Sequence, residues 1–227
     1  LHVRSRRQRQ MCIRDSQLTL MPLDNTSKIS NGFIHLVKGS DGSTVSGLTI
    51  NNTKGALSIN GIYVGQLHGI WITKSNNNTI VNNTIRIANA AGVYAMPMGW
   101  SSYNRIIGND MSTYITCVMV MGQCHYNIIS KNKLETLDYN DLIVSNLIYF
   151  NPFGHADYGG SPLCLGNVIS DNYLKAFCNG AMSIVLQLVY ENHINTTIAN
   201  NTIIRGSYGI SLYSDNATVY NLSLIHI

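Results

Sequence analysis

The phrase Asn78-Thr79-Ile80-Val81-Asn82-Asn83-Thr84-Ile85 states a rule that the chain repeats: Asn, any residue, Ile or Val, two more residues, Asn, any residue, then Ile, Leu or Met. It returns over 104–111, 127–134 and 167–174, over 196–203 with Thr196 in place of the first Asn, and in an Asn-poor form over 43–50. A last copy begins at Ala217. The second anchor of the phrase falls at Leu48, Asn83, Asn109, Asn132, Asn172, Asn201 and Leu222, so successive copies lie 21 to 40 residues apart. Self-similarity at that spacing marks a solenoid, in which each repeat buries its apolar face against its neighbours.

The Ile, Leu and Met positions alternate with polar residues, as a half-buried strand requires. Asn is a poor strand former, so its recurrence needs another cause. In a parallel solenoid, equivalent residues of successive coils stack about 4.8 Å apart, and stacked amides donate and accept along the column. Asn also tolerates the left-handed conformation of a tight corner. A disordered Asn/Thr-rich chain is the alternative; against it stand the 45% hydrophobic content and the register the Ile positions keep with Asn. Further strands precede the phrases, at 33–37, 61–64, 69–72, 92–96, 117–121, 181–186 and 209–213. These predict coils of at least two strands with a short, irregular third face. The expected fold is all-β, a parallel β-helix of about six to seven coils.

The 227 residues read as one domain over 18–221, with an inserted loop at about 138–163. The net charge of +4 comes from residues 1–17, which hold five of the 15 basic residues and one of the 11 acids, leaving ten of each elsewhere. The neutral body gives no support for a nucleic-acid partner, and no apolar run is long enough to span a membrane. The basic segment 1–17 is expected to be disordered. The strings 9–16 and 222–227 resemble translated sequencing-adapter sequence, which implies an internal fragment of a longer protein.

The repeat resembles the right-handed parallel β-helix proteins of the pectin-lyase-like superfamily, and more closely the Asn/Thr-rich adhesin-like surface proteins and NosD-type periplasmic proteins. The resemblance implies right-handed coils and a secreted or cell-surface location. Its leading functional implication is a spacer and adhesin that binds polysaccharide or cell-surface glycan. Two alternatives stand beside it: a lyase or hydrolase acting on acidic polysaccharide, and periplasmic metal handling. The shared residues are scaffold residues, so function has to be read from sites.

The 138–163 excursion holds the best site candidates. Tyr139, Tyr149, Phe153 and Tyr158 offer rings that stack on sugar faces, and Asp138, Asp141, His155 and Asp157 are weak candidates for catalysis. The adjacent-Asp and Asn-Thr-Asp motifs of galacturonan hydrolases are absent; Leu67-His68-Gly69 and Arg86-Ile87-Ala88 match only fragments. Met96, Met98, Met119 and Met121, near Cys124 and His125, suggest a soft copper site, yet they align with Ile70 and Ile72 and read as core. No metal or cofactor is assigned. A column eight residues before the second anchor runs Ser40, Ser75, Ser101, Cys124, Cys164, His193, Ser214. It brings Cys124 and Cys164 within disulfide reach, although in-register strands misaim the sulfurs; the other reading is small buried hydrophobes. Eight Asn-x-Ser/Thr tripeptides, starting at Asn25, Asn51, Asn77, Asn82, Asn195, Asn200, Asn216 and Asn221, match glycosylation acceptors, although in this composition Asn-Thr-rich corners produce them by chance.

Overall fold

A computed structural model describes residues 11–13, 17–24, 27–53, 56–59, 62–66, 68–88, 94–137, 146–151, 164–176, 182–186, 193–205, 208–212 and 216–225. One coil shows the plan. Tyr94–Gly99 lies in a first sheet (A), Arg105–Ile107 in a second (B) and Asp110–Thr113 in a third (C), before Thr116–Met121 returns to sheet A. Each sheet holds eight strands, and all their pairings are parallel. The chain is a right-handed parallel β-helix with no helix among the described residues.

The eight-residue phrase spans a corner rather than one strand. Thr79–Val81 belongs to sheet B and Thr84–Ile87 to sheet C, with Asn82 at φ 54° turning the chain between them. Ile80, Ile85 and Ile87 point inward and are fully buried, while Thr79 and Thr84 alternate outward. The third face, expected to be irregular, is therefore as regular as the other two. The first rung, with Thr19–Leu20 in sheet B and Lys28–Ser30 in sheet C, carries no copy of the phrase. Two end strands lie outside the 18–221 span: Met11–Ile13 pairs with Ile34–Leu36, and Ser223–Ile225 pairs with Thr202–Ile204.

Each Asn of the phrase enters its own ladder. In the first, the Asn78 amide donates to Asn104 Oδ1 (2.9 Å), Asn104 to Asn127 (3.2 Å) and Asn127 to Asn167 (3.1 Å). In the second, Asn83, Asn109, Asn132, Asn172 and Asn201 are joined by four such bonds of 2.9–3.1 Å. Every Oδ1 in the second ladder also accepts the backbone N–H of the preceding coil, as Asn109 Oδ1 does from Asn83 N (2.9 Å). The second amide hydrogen goes back to a carbonyl of the preceding coil, as from Asn132 to Ile106 O (2.9 Å). These side chains are at most 1% exposed, so the columns are polar seams inside the solenoid with their hydrogen bonds made. The corner residues are their chain neighbours: Asn77 and Asn82 adopt positive φ, while Asn78 and Asn83 make the ladders.

Thr196 occupies the Asn position at the end of the first ladder. It is fully buried, and its Oγ1 has no hydrogen-bond partner. Thr196→Asn would place an acceptor over the Asn167 amide and extend the ladder by one rung. The expected gain is about 1–2 kcal/mol, read as a melting temperature higher by roughly 2–8 °C.

The core follows the alternation, with Ile34, Ile70, Met96, Val118 and Ile148 from sheet A stacked inward. Met96 and Met98 are core, as their alignment with Ile70 and Ile72 predicts. Met119 and Met121 pair with Pro97 and Gly99 on the other face of the sheet, where Met119 is still buried and Met121 half-buried, and Val118 and Val120 take the inward positions. The long first step of the repeat holds an antiparallel hairpin, Ala56–Ile59 with Ile62–Gln66.

Candidate functional site

Sheet A differs from the other two on its outer face. In register along the axis stand His35, Trp71, Pro97, Met119 and Tyr149: His35 pairs with Trp71, Pro97 precedes the partner of Ile72, and Met119 pairs with both Pro97 and Tyr149. His35, Trp71 and Tyr149 are half-buried, so each combines packing below with an accessible edge. Pro97 and Met119, in the middle of the file, are buried, so its accessible rings are His35 and Trp71 at one end and Tyr149 at the other.

The file begins in an aromatic cluster. The His35 ring stacks on the Trp71 indole, with centroids 4.2 Å apart and planes 5° from parallel. His68 meets the same indole edge-on at 5.3 Å, and Phe33 closes the group at 6.3 Å from both imidazoles. Phe33 and His68 are each 7% exposed and precede the strands that carry His35 and Trp71. Asn52 holds the two approaches together: its Oδ1 accepts Gly32 N–H (2.9 Å) and its Nδ2 donates to His68 O (2.6 Å). The cluster therefore rests on rigid, hydrogen-bonded backbone.

His35 Nε2 lies 3.1 Å from Thr73 Oγ1, and its buried Nδ1 has no hydrogen-bond partner. Burial lowers its pKa to about 4, so the ring is neutral at neutral pH. A histidine whose folded pKa lies below its unfolded value of 6.5 makes the unfolded state the better proton acceptor between the two. The stability it contributes is complete above pH 6.5 and is lost as pH falls toward 4. Thermal melts from pH 7 to 4 are expected to show a decline that is shallower in His35→Gln; His125, also lowered by burial, supplies a remaining slope.

Of the residues singled out in the 138–163 excursion, Tyr149 alone falls among the described ones, within the strand Asn146–Asn151. Asp138, Tyr139, Asp141, Phe153, His155, Asp157 and Tyr158 lie outside the described residues. Phe33, His35 and Trp71 escaped sequence reasoning, and His68 stood out only within the fragment Leu67-His68-Gly69. Their signal was the outward register of His35 and Trp71 in the strands 34–36 and 70–73, which the long, hairpin-bearing step between the phrases concealed.

The small-residue column is real: Ser40 Oγ meets Ser75 Oγ (3.1 Å), and Ser101 N–H donates to Cys124 Sγ (3.4 Å). Cys124 and Cys164 occupy adjacent coils as buried free thiols, the arrangement of the second of the two readings given for them above. Both side chains leave parallel, in-register backbones in one direction, and each thiol turns to its own carbonyl, Met121 O and Gly122 O, both at 3.3 Å. Burial raises both thiol pKa values, that of Cys164 to about 11. Among the described residues, no three His, Cys, Asp or Glu side chains come together as a metal site, and no helix is long and apolar enough to cross a membrane.

Comparison with known proteins follows the fold. The structure is similar to an alginate lyase from Paenibacillus sp. str. FPU-7 (14% identity, TM-score 0.50, covering 87% of this chain and 70% of that one). It is also similar to the Dettilon tailspike protein (14% identity, TM-score 0.52, covering 91% of this chain and about half, 51%, of that one). At such identity the likeness shows the fold alone, a parallel β-helix. No protein with a curated description matches the sequence. Residues 18–184, well over half of the chain, match the family described as protein of unknown function DUF1565, and the chain belongs to that right-handed β-helix family.

Proposed function

We propose that the outer face of sheet A binds a polysaccharide lying along the helix axis, and that the protein works as a secreted or cell-surface module whose coils serve as spacer and adhesive surface. The observation that carries this reading is the His35–Trp71 stack, buttressed by Phe33 and His68 and continued in file by Tyr149. Aromatic rings held rigidly at a surface present apolar faces and edges to the C–H groups of sugars, and side-chain ordering costs little because it is already complete. Proteins of the same fold that act on polysaccharide, such as the alginate lyase, lend the ligand class support.

Turnover is the second reading, favoured by the likeness in fold to an alginate lyase. Asp138, Asp141, His155 and Asp157 would supply the acids in that case.

Trp71 and Trp100 are the two tryptophans, so in a Trp100→Phe background the emission reports Trp71 alone. Titration with polyuronates and neutral glucans is expected to give saturable quenching by at least one class. Trp71→Ala, measured by calorimetry, should weaken that binding by about tenfold or more, the order of an aromatic contact with its buried area. Release of unsaturated or reducing ends, lost in Asp141→Asn, would replace the adhesin reading with an enzyme. No binding by any class would overturn the proposal.

A further inference from the structure

The Asn-x-Ser/Thr tripeptides separate cleanly from the ladders. Asn51, Asn77, Asn82, Asn195, Asn200, Asn216 and Asn221 are all exposed, and none of the buried asparagines begins such a tripeptide. Asn25 lies outside the described residues.

Six of the seven stand at two corners, one on each side of sheet B. The corner before sheet B is turned by a positive-φ residue in seven coils: Gly42, Asn77, Tyr103, Tyr126, Gly166, Asn195 and Asn216. The corner after it is turned by Gly47, Asn82, Gly108, Lys131, Asp171, Asn200 and Asn221. The left-handed conformation explains Asn or Gly at these positions, but the occurrence of Tyr103, Tyr126, Lys131 and Asp171 shows that other residues are accommodated.

The residue two places on is the first of a strand, with its side chain outward, and the fold asks only that it suit a pleated surface. Yet all six corner asparagines are followed there by a hydroxyl: Thr79, Thr84, Thr197, Thr202, Thr218 and Ser223. Of the eight corners turned by another residue, Gly42 and Gly47 alone have Ser or Thr there (Thr44 and Thr49); the rest have Arg105, Asp110, Ile128, Lys133, Val168 and Tyr173. Corner geometry couples neither choice to the other, so the pairing of Asn with a hydroxyl has a cause outside the scaffold.

We propose that the corner asparagines Asn77, Asn82, Asn195 and Asn200 are acceptors for N-linked oligosaccharide. The donor class is an oligosaccharide carried on a polyprenyl phosphate or diphosphate, used by a transferase of an extracytoplasmic compartment. The Asn Nδ2 forms a bond to the anomeric carbon, the bond from that carbon to the phosphate oxygen breaks, and the polyprenyl phosphate or diphosphate departs with the electron pair. The amide proton passes to a base of the transferase. Both files flank sheet B. Glycans there would sheathe sheet B and leave the outer face of sheet A clear, although the inference does not depend on that face binding sugar.

The chain, secreted with a leader from a eukaryotic host, would be read by intact mass and by peptide mapping after enzymatic deglycosylation in heavy-oxygen water. Glycan is expected on Asn77, Asn82, Asn195 and Asn200 and on none of the ladder asparagines. Thr79→Val and Thr202→Val, which keep a β-branched residue at the first strand position, should each remove one increment, from Asn77 and Asn200, without changing the far-ultraviolet dichroism. Unmodified protein at those four positions, secreted alongside a control glycoprotein that is modified, would overturn the proposal. So would glycan found on a ladder asparagine in folded protein.

Discussion

Asn83→Leu is expected to lower the melting temperature by roughly 6–20 °C, while Asn82→Gly, one residue away, leaves it nearly unchanged. The two asparagines do opposite jobs. Asn82 is exposed at φ 54°, a conformation glycine adopts without cost. Asn83 is 1% exposed; its Oδ1 accepts Leu48 N–H (3.0 Å), and its Nδ2 donates to Val45 O (3.0 Å) and Asn109 Oδ1 (3.0 Å). Leucine has similar volume, so no cavity confuses the result, but it strips partners from two backbone groups and a side-chain amide. Each buried group left unpaired costs about 1–3 kcal/mol. A total of roughly 3–5 kcal/mol converts to the stated shift at about 2–4 °C per kcal/mol for a chain of this size. Equal effects of the two substitutions would contradict the division of labour between corner and ladder.

The second large effect joins fold to site. Asn52→Leu is expected to cost roughly 2–5 kcal/mol, because Gly32 N–H and His68 C=O both lose a partner in a buried setting. Its consequence should extend beyond stability. Asn52 sets the approach of Phe33 and His68, the two residues that clamp the His35–Trp71 stack. Loosening that clamp should shift Trp71 emission to longer wavelength and weaken polysaccharide binding even well below the melting temperature. Trp71→Ala, by contrast, should weaken binding with a smaller loss of stability, since its side chain is half-buried on the outer face. A variant at Asn52 that melts early yet binds normally would detach the site from its support.

The two ladders, the serine–cysteine column and the inward Ile positions could be read in the sequence because they repeat at fixed offsets within one eight-residue phrase. Two other features were not legible. The phrase looked like a single strand because it carries one apolar alternation; the positive φ that splits it between sheets B and C falls on Gly, Asn or Asp in six of the seven corners, a signal hidden by the ladder asparagine that follows it, and on Lys131 in the seventh. The first rung, at Thr19–Leu20 and Lys28–Ser30, has no copy of the phrase to align. The site was harder still. His35 and Trp71 sit in strands of three and four residues that precede the phrase at a variable distance, with a hairpin between them. Their facing positions follow from pairing across coils, a long-range fact that local alternation does not contain. The same variability moved Met119 and Met121 from the inner face to the outer one.

The most direct test of the functional account is how affinity depends on ligand length. Five residues in file from His35 to Tyr149 span four coil steps, about 19 Å along the axis at the strand spacing. Affinity of Trp71-reported binding should climb as oligosaccharides lengthen to that span and then level off, with Tyr149→Ala abolishing the gain for long ligands while leaving short ones unaffected. A monosaccharide that binds as tightly as the polymer, or a length dependence indifferent to Tyr149, would contradict a polysaccharide lying along sheet A.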